Sequence, residues 1–268
     1  MARRLRLDAE LVRRNLARSR EQAGELIAAG RVTVAGATAT KSATGVTTDA
    51  AIVVKEGRDG PEYVSRGGHK LAGALDIFAP SGLSVAARLA MDAGASTGGF
   101  TDVLLRRGAA AVIAVDVGYG QLAWSIRQDP RVVVMDRTNV RELRPEQFER
   151  KPELVVGDLS FISLGLVLPA FAAVARPDAD LVLMVKPQFE VGKERLGKGG
   201  VVRDPGLRLE AIGQVAAAAA GLGYGIRAVC ASPLPGPSGN VEYFLWMRRD
   251  AAPYDAAVAA RVVTDGPQ

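Results

Sequence analysis

From Tyr63 onward, short apolar runs alternate with longer segments of helical character. The runs sit in RLAMDAG (Arg88–Gly94), AAVIAVDVG (Ala110–Gly118), RVVVMD (Arg131–Asp136), ELVVGD (Glu153–Asp158) and DLVLMVK (Asp180–Lys186). Two more follow in IRAVCAS (Ile226–Ser232) and VEYFLWMR (Val241–Arg248). Short apolar runs bounded by turn residues read as buried strands. Alternating with helices, they predict an α/β domain built on a mainly parallel sheet. One run ends oddly: Leu181–Val185 is followed at once by Lys186 and Pro187. Proline biases Lys186 away from the helical region, so a lysine stands at the tip of an interior strand.

The first sixty residues follow a different pattern. Asp8 is placed to cap a short helix reaching about Leu16, and Ser19–Gln22 (SREQ) has capping-box spacing. The second helix runs through Ala29 and stops at Gly30, a good residue past a helix end. RVTV then alternates as a strand, Ala35–Gly36 makes a tight turn, and small strands continue to about Lys55. The stretch from Lys55 to Tyr63 concentrates charge, glycine and proline. Expected boundaries are a small α+β domain over residues 1–58, a linker over 59–64 and the α/β domain over 65–250. Residues 251–268, alanine-rich and without a clear packing pattern, are expected to fray.

Composition narrows the function. The 268 residues carry a formal charge of +5. Residues 1–31 hold eight arginines against four acids, leaving +1 for the rest of the chain. A basic end fits a polyanion-binding module, with nucleic acid as the leading candidate; a solvated, arginine-rich start is the alternative. Cys230 is the only cysteine and His69 the only histidine, which argues against a disulfide or a structural metal site. No apolar run approaches the about 18 residues of a membrane span. The expectation is a soluble, cytoplasmic protein without a metal.

Four of the strands end in aspartate: Asp92, Asp116, Asp136 and Asp158. Ligands of open α/β sheets bind beyond the carboxyl ends of the strands. DAGASTGGF (Asp92–Phe100) follows the first of these strands, and its glycines allow a tight turn with close backbone approach. It is neither a G-x-G-x-x-G fingerprint nor a phosphate loop. An acid-lined pocket disfavours phosphates and suits a nucleoside with a cationic tail, such as S-adenosylmethionine. Asp116, at the next strand end, is placed to hold ribose hydroxyls.

Lys70 in SRGGHKL, Asp158 in VVGDLSF, Lys186 in VKPQFE and Glu242 in GNVEYFLW complete the chemistry. An alcohol is a poor nucleophile until a base takes its proton. A lysine serves as that base only when its pKa falls well below the usual value of about 10.4. Carboxylates beside it oppose that fall and mainly orient. Alternatively, Lys186 snorkels from the strand end and Asp158 caps a helix. Phe161, Tyr119 and Trp124 are placed either to stack on a ligand or flipped base, or to fill the core.

Several of these stretches resemble known families. Arg6–Gly36, RLDAELVRRNLARSREQAGELIAAGRVTVAG, resembles the S4 RNA-binding fold. That resemblance implies Arg4, Arg6, Arg13, Arg14, Arg18 and Arg20 as phosphate contacts; Arg66 is added as an RNA contact. DAGASTGGF resembles motif I of Rossmann-like S-adenosylmethionine-dependent methyltransferases. By position, Asp92, Gly94, Ala95, Ser96, Thr97, Gly98, Gly99 and Phe100 would line the cofactor. Asp116 would take the ribose, Asp136 would lie near the adenine, and Asp158 would complete the site. Lys70, Asp158, Lys186 and Glu242 resemble the Lys-Asp-Lys-Glu tetrad of FtsJ-type ribose 2′-O-methyltransferases. The order of motifs is similar to that of the TlyA family, bacterial rRNA 2′-O-methyltransferases sometimes labelled hemolysins. This resemblance implies cytidine 2′-O-methylation of 16S and 23S rRNA within 30S and 50S subunits, and capreomycin susceptibility. Where some members carry Arg-Ala-Trp-Val in the linker, this chain has PEYV (Pro61–Val64). A noncatalytic RNA-binding assembly factor and a membrane-active hemolysin are the competing readings.

Overall fold

A computed structural model describes residues 4–14, 16–17, 19–55, 63–236 and 238–267. The chain divides into two units, residues 1–62 and 63–268. The first contains β1 (Arg4–Arg6), α1 (Leu7–Arg13), α2 (Arg20–Ala28), β2 (Val32–Val34), β3 (Ala37–Thr38), β4 (Gly45–Thr47) and β5 (Ile52–Val54). β1 pairs with β4, and β3-β2-β5 form a separate antiparallel sheet. Leu7, Leu11, Ala23, Leu26, Ile27 and Val32 form its core.

Ser19 caps α2, its hydroxyl accepting from the Gln22 amide at 3.1 Å, and Gly30 takes φ +67° past the helix end. Asp8 departs from expectation. α1 begins at Leu7, so Asp8 lies inside the first turn, buried, rather than at the cap. It accepts from the guanidinium groups of Arg6 (2.9 and 3.1 Å) and Arg20 (3.0 Å). These charge-assisted bonds hold its carboxyl well below the usual carboxylate range.

The second unit contains α3 (Gly67–Phe78), β6 (Leu89–Ala93), α4 (Gly99–Arg106), β7 (Ala111–Val115), α5 (Trp124–Arg127), β8 (Val132–Met135) and β9 (Leu154–Gly157). It continues with α6 (Leu168–Val174), β10 (Asp180–Val185), α7 (Pro187–Glu190), α8 (Pro205–Ala220), β11 (Gly225–Ala231), β12 (Tyr243–Arg248) and α9 (Ala256–Asp265). Seven strands form one sheet in the order β11-β12-β10-β9-β6-β7-β8. All neighbouring pairs are parallel except those of β12, which runs antiparallel to both β10 and β11. The strand order reverses between β6 and β9, the switch point where such sheets bind ligands.

Side chains alternate between the two faces of the sheet. Met91, Val155, Leu183 and Leu245 pack on one face with Phe171, Ile212 and Val263. Ala90, Val156, Met184 and Phe244 pack on the other with Leu71, Phe78 and Leu104 of α3 and α4. β10 is buried along its whole length, as a continuous apolar run requires.

Two boundary expectations are corrected. Tyr63 and Val64, assigned to the linker, belong to the second unit. Tyr63 is buried beneath Gly68, and the Val64 amide donates to Asp102 Oδ2 at 2.9 Å. The remainder of the proposed linker, residues 59–62, lies outside the described residues. Residues 251–268 do not fray throughout, because α9 occupies Ala256–Asp265. Asp255 caps it by accepting from the Ala257 amide at 2.8 Å, and Ala259 and Val263 are buried against α8 and β11. That stripe is two small residues wide at i, i+4 spacing, too narrow to stand out from an alanine-rich background. Val263→Asp, placing an unpaired carboxylate there, is expected to cost at least about 2 kcal/mol. A lowered denaturation midpoint measures this loss.

Candidate active site

Strand alternation carries past the apolar runs into charge. Val156, Met184 and Phe244 face α3, and two-residue steps from them reach Asp158, Lys186 and Glu242. On β6 and β7 the same steps lead from Ala90 to Asp92 and from Ala114 to Asp116. The contacts agree with this placement. Asp92 accepts from the Thr101 hydroxyl of α4 at 2.6 Å, Asp136 pairs with Arg127 of α5 at 2.6 Å, and Glu242 pairs with Lys70 of α3 at 2.5 Å. Because β12 is antiparallel, its first residues lie at the same rim as the last residues of β10. Extending the Val185–Tyr243 rung by one puts Lys186 opposite Glu242.

Lys186 Nζ lies 2.6 Å from Asp158 Oδ1 and donates to Ser160 Oγ at 2.9 Å. Lys70, Lys186 and Glu242 are 5, 7 and 1% exposed, so these charges are held as pairs away from bulk water. Lys70 owes its place to glycines on both sides of a close contact. A Cβ on Gly99 would lie 2.2 Å from Ser65 Oγ and 2.9 Å from the Gly68 amide nitrogen, and one on Gly68 would lie 2.5 Å from Tyr63. Gly68 of SRGGHKL and Gly99 of STGGF therefore let two helix starts meet. Glu242 is enclosed by the loop before β12, whose Gly236 would place a Cβ 2.6 Å from Oε1. Arg66 donates to the Pro235 carbonyl of that loop.

The glycine loop lies over the end of β7. The Gly94 and Ala95 amides donate to the Val115 carbonyl at 2.9 and 3.1 Å, and the Ser96 amide donates to Asp116 Oδ2 at 2.8 Å. Asp116 Oδ1 accepts from the Gly118 amide at 2.7 Å. Gly94 has φ +81°, and a Cβ there would lie 3.0 Å from the Asp158 carbonyl oxygen. Ser96 and Thr97 are exposed, whereas Ala95, Gly98, Gly99 and Phe100 are buried. The Phe100 side chain turns inward, 6.0 Å from the Phe244 ring. Asp92 is fully buried, and its Oδ1 has no hydrogen-bond partner among the described residues. Tyr119, Trp124 and Phe161, at 68, 75 and 90% exposed, lie outside the core.

Sequence reasoning missed three supporting residues. Arg127 holds Asp136. Asn240, buried, accepts from the Val202 amide at 2.8 Å and donates to the Gly200 carbonyl at 3.0 Å, joining two loops. Glu190 accepts from the Ser163 hydroxyl at 2.6 Å and the Leu164 amide at 2.9 Å. Burial raises the Glu190 carboxyl pKa. VKPQFE, the stretch carrying Lys186, also holds Glu190, but nothing in its spacing reveals the partner.

In the first unit, Glu10 is buried and pairs with Arg13 (2.6 Å) and Arg14 (2.7 Å). Arg14 also donates to the carbonyls of Ala50 and Thr48 at 2.7 and 2.9 Å, tying α1 to the loop after β4. Arg6, Arg13 and Arg20 keep half or more of their side-chain surface exposed. Arg4 is exposed and makes no ion pair among the described residues. Arg18 lies outside the described residues. No group of three or more metal-ligating side chains occurs among the described residues.

The fold and rim define a Rossmann-like methyltransferase domain. The FtsJ-like methyltransferase family model matches residues 63–249, and the S4 domain model matches residues 5–52. The 16S/23S rRNA (cytidine-2′-O)-methyltransferase TlyA of Mycobacterium tuberculosis is 58% identical, over 99% of this chain and 96% of its own length. Hemolysin A of Brachyspira hyodysenteriae is 36% identical, over 89% of this chain and 98% of its own. A solved structure described as a candidate hemolysin from Streptococcus thermophilus superposes with a TM-score of 0.78 at 37% identity, covering 99% of this chain and 96% of its own. The chain belongs to the FtsJ-like methyltransferase family and carries an S4 domain. No helix among the described residues is long and apolar enough to cross a membrane.

Burial, with the nearby charges of Asp158 and Asp116, pushes the Asp92 carboxyl from 3.8 up to about 7. The folded chain favours the neutral acid. Its stabilisation is complete below about pH 4 and is lost as pH rises through about 7. Asp92→Asn, a neutral isostere, is expected to be more stable than the parent at pH 8 by up to about 4 kcal/mol. The two should converge toward pH 4. Urea midpoints without added cofactor at both pH values test this.

Proposed function

We propose that this enzyme transfers a methyl group from S-adenosylmethionine to the ribose 2′-hydroxyl of cytidine in 16S and 23S rRNA. The observation that carries the reading is the placement of two buried lysine–carboxylate pairs on the same sheet face as the glycine loop. The residues present fit the cofactor: Asp116, Asp136 and Asp158 place carboxylates at the rim, which suits a cationic ligand. The glycine loop offers backbone at close range, and Asp92 Oδ1 remains without a partner. Bound there, S-adenosylmethionine would supply an electrophilic methyl on a positively charged sulfur. The name of the 58% identical TlyA protein supports the ribose and rRNA assignment.

Within this reading, Lys186 takes the proton of the attacking hydroxyl, and Asp158 holds the lysine in place. Glu242 fixes Lys70 beside it, and the four side chains form the tetrad. Positioning the hydroxyl in line with the methyl contributes alongside deprotonation. Phe161 offers an open ring for a base turned out of its stack. Arg4, Arg6, Arg13 and Arg20 contact RNA phosphates in this reading, and Arg66 adds a contact in the second unit. Arg14, tied to two carbonyls, mainly braces the S4 fold.

Tritium transfer from labelled S-adenosylmethionine to 30S and 50S subunits lacking the modification, followed by nuclease mapping, tests the reaction. Label at ribose on both subunits is expected; label only on bases, or none, rejects it. Lys186→Ala should abolish transfer while cofactor affinity stays intact. The Arg6→Ala/Arg20→Ala double variant should lower the log–log salt slope of RNA binding by roughly 1 for each phosphate that is no longer neutralised. An unchanged slope removes these two arginines from the RNA interface.

A further inference from the structure

Ser160 is exposed, follows Asp158 by two residues, and accepts from Lys186 Nζ at 2.9 Å. An exposed hydroxyl ordinarily rotates freely among water partners. This one sits on a loop with little freedom. Leu159 beside it is buried, and Phe161 takes φ +63°, a strained value for a non-glycine residue. Farther along, Ser163 and Leu164 are hydrogen-bonded to Glu190, four residues after Lys186. The loop carrying Ser160 is thus tied to the segment carrying Lys186 at two places.

The geometry points to Ser160 as a positioning residue for the reaction: its hydroxyl fixes the rotation of the Lys186 amine beside Asp158 and so turns the reacting position of the amine toward the ribose hydroxyl. Lys186, held as an ammonium beside Asp158, must first give up a proton to become the reacting neutral amine, which has two N–H donors and one lone pair. Ser160 Oγ, at 2.9 Å, accepts one of these donors, whereas Asp158 Oδ1, 2.6 Å away, is the charge partner and forms no hydrogen bond among the described residues, so the Ser160 hydroxyl is what fixes the rotation of the amine. In the step, the hydroxyl oxygen gains the methyl group and its proton passes to Nζ. The electron pair of the broken carbon–sulfur bond stays with sulfur. The resulting ammonium keeps Ser160 as its acceptor and Asp158 as its charge partner, and releases the extra proton to solvent. The inference rests on the proposed role of Lys186 in ribose methylation.

Full-length Ser160→Ala, Ser160→Thr and Lys186→Ala are compared with the parent in the tritium assay. Acetylation of Lys186 by acetic anhydride, read by mass spectrometry without cofactor, provides a second measurement independent of turnover. Ser160→Ala is expected to lower kcat by about tenfold, since misdirection of a reacting group costs rate rather than binding. KM for cofactor and for RNA stays unchanged, Ser160→Thr restores kcat, and Lys186 acetylates faster once an acceptor is gone. The inference is overturned if Ser160→Ala keeps parental kcat while Lys186→Ala is inactive. It is also overturned if the loss appears only in KM, if threonine fails to restore turnover, or if acetylation does not change. Retained ribose methylation by Lys186→Ala, or none by the parent, instead overturns the underlying functional reading and this inference with it.

Discussion

Holding ionised groups out of water at the rim of an apolar sheet is the constraint around which the second unit is organised. Lys70, Lys186 and Glu242 are all less than a tenth exposed. A charge so placed and left alone would cost several kcal/mol, whereas a matched pair with good geometry is tolerated. Each lysine therefore has a carboxylate within 2.6 Å. Those pairs demand their surroundings: α3 must approach the glycine loop closely, β12 must bring its amino end to the rim, and a proline–glycine loop must close over Glu242. Gly68 and Gly99 meet that steric demand where a Cβ would collide with Tyr63, Ser65 and the Gly68 amide.

Much of this was legible from residue order because a strand has a period of two. The same alternation that sends Val182 and Met184 toward α3 sends Lys186 there as well, so charge at the end of an apolar run already tells which layer it addresses. Legibility failed where the determinant was a partner distant in sequence. Asp136 reads as a free strand-end acid until Arg127 folds against it, and Glu190 shows no sign of Ser163 and Leu164. Asp8 has the composition of a cap, but two arginine forks draw it inside the helix. α9 was missed for another reason: alanine contributes so little contrast that a stripe such as Ala259–Val263 hardly differs from its flanks.

The S4 unit handles its charges by a related device. Asp8 and Glu10 are buried carboxylates, each receiving two guanidinium groups. The arginines consequently do not swing freely; their forks are fixed near α1 while their outer surfaces stay in water. Ordering long side chains before a ligand arrives reduces the entropy lost on binding. It also leaves the local net charge lower than a count of arginines suggests, so the placement of these groups matters as much as their number.

The strand order has a consequence for synthesis of the chain. β12 lies between β10 and β11, and β11 has no other strand neighbour. A chain released from the ribosome up to Ala231 would have β10 unpaired on one side and β11 with no strand to pair with. Only with Glu242–Arg248 does the gap close, and the same residues deliver the carboxylate for Lys70. Completion of the sheet and completion of the site are therefore one event, and a chain terminated before Glu242 would have neither.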